Sequence, residues 1–246
     1  MGGSIAQWAA EMKDTFILCF VEDNRWRYLV DGLKNTLIIT FFSLLIGVLI
    51  GVVVAVVRST HDKTKETAQK SLGRGVLGVC DWLCRVYLTV IRGTPVVVQL
   101  MIMYYVIFAS SRNKLLIAIL SFGINSGAYV AEIFRGGIMA IDQGQFEAGR
   151  SLGFNFVQTM WYVVVPQAFK NILPALANEF IVLLKETSVA GYVAVVDLTK
   201  AGDIIIGRVY TAFMPLIAVA LIYLVMVMFF TFLVGKLERR LRNSER

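Results

Sequence analysis

Long apolar runs, separated by short polar stretches, make up most of the chain. Residues 35–57 and 209–235 contain no charged side chain, and two further uncharged runs cover residues 93–111 and 115–131. About 20 apolar residues suffice for a helix to cross the hydrocarbon core of a bilayer, since each residue adds about 1.5 Å. The pattern predicts membrane-spanning helices, because the strands of a membrane barrel would alternate apolar and polar positions.

Some of the predicted crossings are longer or less regular than these runs. The second is expected to extend back through residues 81–91, and the third to continue as far as residue 141. A fourth is expected at about residues 173–195, preceded by a bent approach, within the apolar stretch 154–196. That stretch is interrupted by Pro166, Pro174, Glu179, Lys185 and Glu186. Together the segments predict an all-α integral membrane protein with five transmembrane helices.

The composition supports this class and narrows the partners. Of the 246 residues, 57% are hydrophobic and 17% are charged, and the mean hydropathy is +0.70. A soluble domain carries about 25% charged residues, so the shortfall indicates a protein embedded in the lipid bilayer. The net charge of +7 lies in stretches that flank the apolar runs. Because no basic face is interleaved with aromatic residues, we exclude nucleic acid as a partner.

The positive charges predict how the chain is oriented in the membrane. Lysine and arginine cluster after the first crossing and again near the C-terminus, and five crossings place both clusters on one side. They are Arg58, Lys63, Lys65, Lys70 and Arg74, and Lys236, Arg239, Arg240, Arg242 and Arg246. Such basic stretches remain in the cytoplasm. We therefore expect residues 1–30 outside the cell, a transmembrane domain over residues 31–240 and a cytoplasmic tail at residues 241–246.

A short charged segment between the third and fourth crossings predicts a small helix on the cytoplasmic side. Residues 142–145 are turn-like, and Gly153 suits the position just after a helix C-terminus. Between them Glu147 lies in the first turn and Arg150 near the last, and both charges match the helix dipole. We place this helix at about residues 143–153. A helix this short is marginal alone in water, so a partner, its own flanks or both must hold it. The alternative is a solvated turn between the two crossings.

The same segment resembles the EAA motif of the permease subunits of ATP-binding-cassette (ABC) importers. That motif reads E-A-A, three residues, G, nine residues, I, one residue and L-P. The positions in register are Glu147, Ala148, Gly149, Gly153, Val163, Val165 and Pro166. Gly149, Val163 and Val165 stand where the motif has alanine, isoleucine and leucine, and all three exchanges are small or apolar. Glycine in place of the second alanine is expected to destabilise the helix by about 1 kcal/mol.

Further strings resemble the polar amino-acid branch of that family, in the same order and spacing. They lie at residues 92–100, 125–137, 145–153, 166–169 and 178–188. The resemblance extends from about residue 30 to the C-terminus. It implies a type I ABC importer permease fold, in a multi-pass protein of the bacterial cytoplasmic membrane, that transports glutamine, glutamate, arginine, histidine or cystine.

The resemblance also implies a division of labour among several chains. The short helix would be a coupling helix seated in a cleft of an ATPase subunit, with Glu147, Ala148, Gly149, Leu152 and Gly153 as the coupling residues. The implied partners are two cytoplasmic ATPase subunits, an extracellular amino-acid-binding protein and a second permease, identical or similar. The chain lacks the phosphate-binding loop G-x-x-x-x-G-K-[ST]. We therefore expect no enzymatic activity and no cofactor here, with ATP and Mg²⁺ on the partner ATPase.

Charged side chains inside a crossing are costly, by about 2.5–3.5 kcal/mol at the helix centre, and are therefore functional candidates. Glu179 and Glu186 are seven residues apart, which places them on one helix face, and Lys185 is adjacent to Glu186. An amino acid carries an ammonium and a carboxylate group and needs a partner of each sign. We hypothesise that the translocation path is bordered by Glu179, Lys185, Glu186, Thr187 and Ser188.

Two alternatives explain these charges without a substrate. Lys185 and Glu186 are either solvated at the outer lipid boundary or paired with Glu132 or Arg135 for stability. Glu132 and Arg135 themselves are three residues apart near the cytoplasmic end of the third crossing. That spacing favours an ion pair between them.

The string Arg92-Gly-Thr-Pro95 predicts a break in the second crossing and leaves its depth open. Pro95 removes a backbone hydrogen bond and disfavours helical backbone at Thr94. One placement is a break in mid-membrane that lines a cavity. The other is a turn at the membrane interface, with residues 81–91 lying among the headgroups.

Two other classes of function have less support. An ion-coupled secondary transporter or channel, the main alternative, would show inverted repeats or more acids within its crossings. A membrane-embedded enzyme would need a nucleophile with its base, or a set of metal ligands. Cys80 and Cys84 lack further ligands, and His61 is expected to be solvated in a charged cytoplasmic loop. We therefore predict neither a catalytic site nor a metal site.

Overall fold

The computed structural model describes residues 2–66 and 72–243, and every element in these ranges is helical. Lys70 and residues 244–246 of the predicted tail lie outside the described residues. The α-helices are α1 Gly2–Phe16, α2 Trp26–Glu66, α3 Leu72–Gly93, α4 Val96–Ile102, α5 Lys114–Met139, α6 Gln143–Ser151, α7 Phe156–Thr159, α8 Val165–Glu186, α9 Leu198–Val209 and α10 Phe213–Asn243. Tighter or wider helical turns extend several of them, at Ile17–Val21, Glu22–Asn24, Met103–Ile107, Met160–Val164 and Thr187–Val193.

Three of the described helices, α2, α5 and α10, are long and apolar enough to cross a membrane. A fourth crossing is obtained if Gly75–Gly93 and Val96–Ile107, which meet at a bend of 110°, are counted together. The all-α membrane fold is therefore confirmed. The count of five crossings stays a prediction.

The predicted break in the second crossing is confirmed, because α3 and α4 meet at a bend of 110° on either side of Thr94 and Pro95. Pro95 has no N–H to donate to the turn before it, so the last carbonyl groups of α3 need other partners. The Thr94 hydroxyl donates to the Val90 carbonyl at 2.8 Å, and the Gln99 side-chain amide donates to the Ile91 carbonyl at 2.8 Å. These two side chains satisfy the open end of α3 and stabilise the bend.

The segment predicted as the fourth crossing is helical, with other bounds at both ends, and α8 is not among the described helices that are long and apolar enough to cross a membrane. Helical structure runs without interruption from residue 156 to residue 186, through Pro174, and ends in the 3₁₀ turn Thr187–Val193. Pro166 is accommodated because the preceding turn is widened: the Val165 N–H donates to the Met160 carbonyl, five residues back. The bent approach that the prolines suggested is therefore part of one long helix.

The centre of the molecule is a close, parallel contact between α2 and α5. Gly51 of α2 lies so near α5 that a Cβ atom there would be 2.5 Å from Val130 Cγ1 and 2.8 Å from the Ala131 nitrogen. Gly123 of α5 approaches Ile46 of α2 in the same way. Small residues allow this approach, which suits membrane helices because lipid provides no hydrophobic drive for their association.

The remaining helices define two ends of the bundle. α8 runs antiparallel to α5, since Gly137 near the end of α5 faces Ile172 near the start of α8. This end, called the α6 end, contains the C-terminal ends of α2, α5 and α10. The opposite end, called the α9 end, contains α9 and the start of α2, where Gly32 lies against the Asp197 carbonyl. Cys19 and Phe20 pack there against α9, so the N-terminal segment lies at the end away from α6.

We expect Gly51→Ala to destabilise the protein, because the added Cβ atom meets backbone as well as side-chain atoms of α5. Overpacking of this kind costs about 1–3 kcal/mol. Gly136→Ala is the matched control, since a Cβ atom there meets nothing within 4 Å and alanine favours the helix. The thermal unfolding midpoint of the detergent-purified protein should fall for the first variant and hold or rise for the second. Equal midpoints would contradict the close contact.

Candidate functional site

The predicted short helix between the third and fourth crossings is present, as α6. At its start the Asp142 carboxylate accepts a hydrogen bond from the Gly144 N–H at 2.6 Å. At its end Gly153 adopts a φ of 79°, and its N–H donates to the Arg150 carbonyl at 2.9 Å. The next N–H donates to the Gly149 carbonyl at 3.0 Å, which completes a glycine C-cap. The prediction of a helix that ends before Gly153 is confirmed.

One face of α6 is seated on its own flank. A Cβ atom at Gly149 would lie 2.5 Å from Thr159 Cγ2, so this glycine allows α6 and α7 to touch. The side-chain amide of Gln167 also donates to the Gln145 side chain at 3.0 Å. The motif has alanine at the position of Gly149, and glycine there was expected only to loosen the helix. In this chain glycine is required, because α6 packs too closely on α7 for a Cβ atom.

The other face of α6 is exposed and carries most of the predicted coupling residues. Glu147, Ala148 and Gly153 are exposed, and Leu152 is 73% exposed. Gly149 is the buried member of the predicted set. Large apolar side chains in the segments that precede and follow α6 are also exposed, namely Met139, Phe156, Val157, Trp161 and Tyr162. In a membrane protein such side chains face lipid or a partner, so the exposed face of α6 itself, with Leu152, is the feature that suits a protein–protein contact.

The structure separates the five predicted path residues into different environments. Glu179 is buried in α8, where its carboxylate accepts a hydrogen bond from the Ser126 hydroxyl at 2.8 Å. Lys185 is exposed, and Glu186 and Ser188 are half-buried near the α9 end. Thr187 is buried, and its hydroxyl donates to a backbone carbonyl three residues back at 2.8 Å. Glu179 and Thr187 are therefore the two buried members of the set, and Glu179 lies farther from the α9 end.

Polar residues that sequence reasoning did not single out extend this buried position. Ser126 lies where α5 meets both α2 and α8, since a Cβ atom at Gly47 would be 2.9 Å from its hydroxyl oxygen. The neighbouring Asn125 donates from its side-chain amide to the Gln99 side chain at 2.9 Å. These residues form a polar layer at the middle of α5. Their signal in the sequence was the polar pair 125–126 inside an apolar run.

Glu132 forms the centre of an ion-pair network towards the α6 end. It contacts Arg58 at 3.2 Å, Arg135 at 3.2 Å and Arg92 at 3.9 Å. The predicted pair between Glu132 and Arg135 is confirmed. The alternative that Lys185 pairs with Glu132 or Arg135 is wrong, because α8 places Lys185 near the opposite end of the bundle.

His61 does not lie in a solvated loop as predicted. It belongs to α2, and its Nδ1 atom is 3.2 Å from the carboxylate of Asp81, which is 3% exposed. Arg85 also reaches that carboxylate at 2.8 Å, and Arg58 lies 3.8 Å from it. The helix α2 continues past the membrane-spanning length, which brings His61 against α3. Because two guanidinium groups already neutralise Asp81, the cluster of His61, Asp62 and Asp81 does not suit a metal ion.

Comparison with known proteins identifies the family. Residues 71–243 match the family model of the binding-protein-dependent transport system inner membrane component. The chain belongs to this family. Its all-α fold and its apolar helices are those of the membrane permease of an ABC transporter.

Named relatives and solved structures cover most of the chain. The arginine transport system permease protein ArtQ of Bacillus subtilis (strain 168) is 34% identical over 229 residues, which are 89% of this chain and 94% of ArtQ. The glutamine transport system permease protein GlnP of Escherichia coli (strain K12) is 38% identical over 169 residues, 67% of this chain and 77% of GlnP. A crystal structure of an amino acid ABC transporter with histidines superposes with a TM-score of 0.78 at 40% identity, over 90% of this chain and 98% of that chain. The MetNI methionine transporter, at 22% identity and a TM-score of 0.72 over 89% of this chain and 98% of that chain, shares the fold.

The seating of α6 on α7 leads to a prediction about local stability. Gly149→Ala forces α6 away from Thr159, and overpacking of this size costs about 1–3 kcal/mol. We expect limited trypsin cleavage after the exposed Arg150 to become about tenfold faster, because cleavage follows the population of the opened segment. Thr159→Ala removes the two closest atoms, so the double variant should return towards the wild-type rate. If Thr159→Ala brings no rescue, the contact does not hold α6.

Proposed function

We propose that this chain is the permease subunit of an ABC importer for a polar amino acid of the glutamine, glutamate, arginine, histidine or cystine type. Separate ATPase subunits drive it, and an extracellular binding protein delivers the substrate. The relatives that match over most of the chain transport glutamine or arginine by name. The structural neighbour at 40% identity is, by its title, an amino acid ABC transporter with histidines.

The geometry of α6 is the observation that carries this proposal. A helix of two turns is marginal alone, and here one face is seated on α7 while the other, with Leu152, is exposed. The exposed face suits a cleft of another protein. Glu147, Ala148 and Leu152 contact the ATPase subunit in this proposal, and Gly149 and Gly153 hold the helix in shape.

The proposed complex contains two permeases and two ATPase subunits. One permease carries one α6, whereas an ATPase pair is two-fold, so pairing of permeases follows from symmetry. The α6 end faces the cytoplasm, in agreement with its basic residues, and the α9 end faces the binding protein. ATP and Mg²⁺ are bound by the ATPase subunits and no cofactor by this chain.

Buried polar groups support a path for an amphoteric solute. Glu179 and Ser126 lie where α2, α5 and α8 meet, and burying a carboxylate there is costly unless it has a partner or a ligand. In the proposal Glu179 or Glu186 faces the substrate ammonium group. Lys185 faces the carboxylate, and Thr187 and Ser188 lie beside them near the α9 end.

Replacement of Ala148 by aspartate tests the coupling role of α6. We expect Ala148→Asp to lower both co-purification of the ATPase subunit and ATP-dependent uptake in proteoliposomes by about tenfold or more, because it buries an unpaired charge in the contact. Ala212→Asp is the matched control, an exposed alanine at the α9 end. Assembly and ATP-driven uptake that survive Ala148→Asp would refute the proposal, and ATP-independent uptake by the chain alone would favour an ion-coupled transporter.

Charge-removing variants test the path separately from the coupling helix. We expect Glu179→Gln, Glu186→Gln and Lys185→Met to lower uptake at equal membrane levels, by about tenfold for a direct contact with a charged substrate group. Glu238→Gln, an exposed acid in α10, is the control. Unchanged uptake in both Glu186→Gln and Lys185→Met would end the role of the outer residues. Unchanged uptake in Glu179→Gln would remove the buried acid from the path.

A further inference from the structure

A basic groove lies between α3, α5 and the end of α2, apart from α6 and from Glu179. It has a volume of about 650 Å³ and opens to the surface. Its polar lining consists of Arg58, Arg85, Thr89, Arg92, Tyr129 and Glu132. The coupling and path residues proposed above do not line this groove.

Positive charge exceeds negative charge around the groove. Arg58, Arg85 and Arg92 line the groove together with one carboxylate, that of Glu132. With their ion-pair partners Arg135, Asp62 and Asp81 included, four guanidinium groups meet three carboxylates. Arg85 and Arg92 remain 48% and 47% exposed, so both can also bind a ligand from the surface. The Arg92 guanidinium lies 5.8 Å from the Tyr129 ring centroid, which holds it beside the groove. The excess charge selects an anion.

The outer face of α3 beside the groove is apolar. Its exposed residues follow a spacing of three and four, which places them on one helix face. They are Val76, Val79, Leu83, Val86 and Val90, with Trp82 at the edge. The face of α3 that packs through Leu88 against α2 and α5 carries Arg85 and Arg92 at the groove. Trp82 and Thr89, seven residues apart, lie between this face and the apolar stripe. A cationic groove bordered by an exposed apolar stripe matches a molecule with an anionic head and an apolar tail.

We propose that this groove binds the phosphate headgroup of an anionic phospholipid, whose acyl chains lie along the outer face of α3. Bidentate guanidinium groups suit phosphate oxygens, and the Thr89 hydroxyl adds a donor. Basic pockets between membrane helices bind lipid headgroups in this way. A zwitterionic amino acid fits less well, since its ammonium group would enter a groove of net positive charge and its neighbour would be an apolar surface. The lipid would hold α3 at its bend with α4.

Lipid retention measured by native mass spectrometry tests this site. The full-length protein, in the complex in which it purifies, is reconstituted with phosphatidylglycerol or with phosphatidylcholine and then released from the membrane. We expect bound phosphatidylglycerol on the wild type and about tenfold less on the double variant Arg85→Gln/Arg92→Gln, because two surface charges are removed. Phosphatidylcholine should not be retained. Equal retention of phosphatidylglycerol by the two proteins would overturn the proposal.

The matched control is Arg239→Gln/Arg240→Gln. It removes the same charge from exposed positions of α10 at the same end of the bundle, away from the groove. Retention should stay at the wild-type level in this variant, and a loss as large as in the groove variant would show a general surface effect and overturn the site. Displacement of the lipid by millimolar inorganic phosphate or glutamate would show that the groove takes a free anion, which also overturns it.

A second measurement avoids any variant that fails to fold. Phosphatidylglycerol with a photoreactive acyl chain is expected to crosslink to the wild-type peptide that contains Leu83, Val86 and Val90. The same probe on phosphatidylcholine should crosslink to this peptide about tenfold less. Equal crosslinking by the two lipids would contradict a headgroup site and indicate only a lipid-facing helix.

Discussion

The close parallel approach of α2 and α5 is the constraint on which the rest of the structure depends. Glycines on both helices bring the two backbones together, and in lipid this dispersion contact replaces the hydrophobic drive that water supplies to soluble proteins. The approach also sets the polar centre of the molecule. Ser126 of α5 lies against Gly47 of α2, and its hydroxyl donates to the Glu179 carboxylate of α8. The close approach of α2 and α5 therefore places the hydrogen-bond partner of this buried acid.

α8 connects this polar centre to the exposed helix α6. Helical structure is continuous from Phe156, next to the α6 contact, past Glu179 to Glu186, and the widened turn before Pro166 preserves that continuity. In the proposed coupling, a movement of α6 would reach this helical stretch, which also carries the buried acid, through the contact of Gly149 with Thr159.

The ion-pair network around Glu132 holds α2, α3 and α5 together near the α6 end. Arg58 of α2 contacts both Asp81 of α3 and Glu132 of α5, so three helices share one set of charges. A buried carboxylate such as that of Asp81 is tolerated only when paired, and removal of its partners would leave an uncompensated charge. The network holds the inner face of α3 against the bundle and thereby turns its apolar stripe outward.

Several features of this protein follow from sequence because they depend on local physics. Length and hydropathy predict α2, α5 and α10, and the turn residues at 142–145 with Gly153 predict α6, since capping involves only neighbouring residues. The spacing of Glu132 and Arg135 predicts their ion pair for the same reason. The motif around Glu147 further identifies the family, although no periodicity would show it.

Other features were decided only by tertiary contacts. His61 lies against Asp81 because α2 and α3 pack together there, and this outcome cannot be read from neighbouring residues. The sequence by itself determined a helical membrane protein with an exposed two-turn helix. The tertiary structure decided which polar residues are buried together, because burial depends on the approach of α2, α5 and α8, and that approach is set by glycines whose role is visible only in the packed molecule.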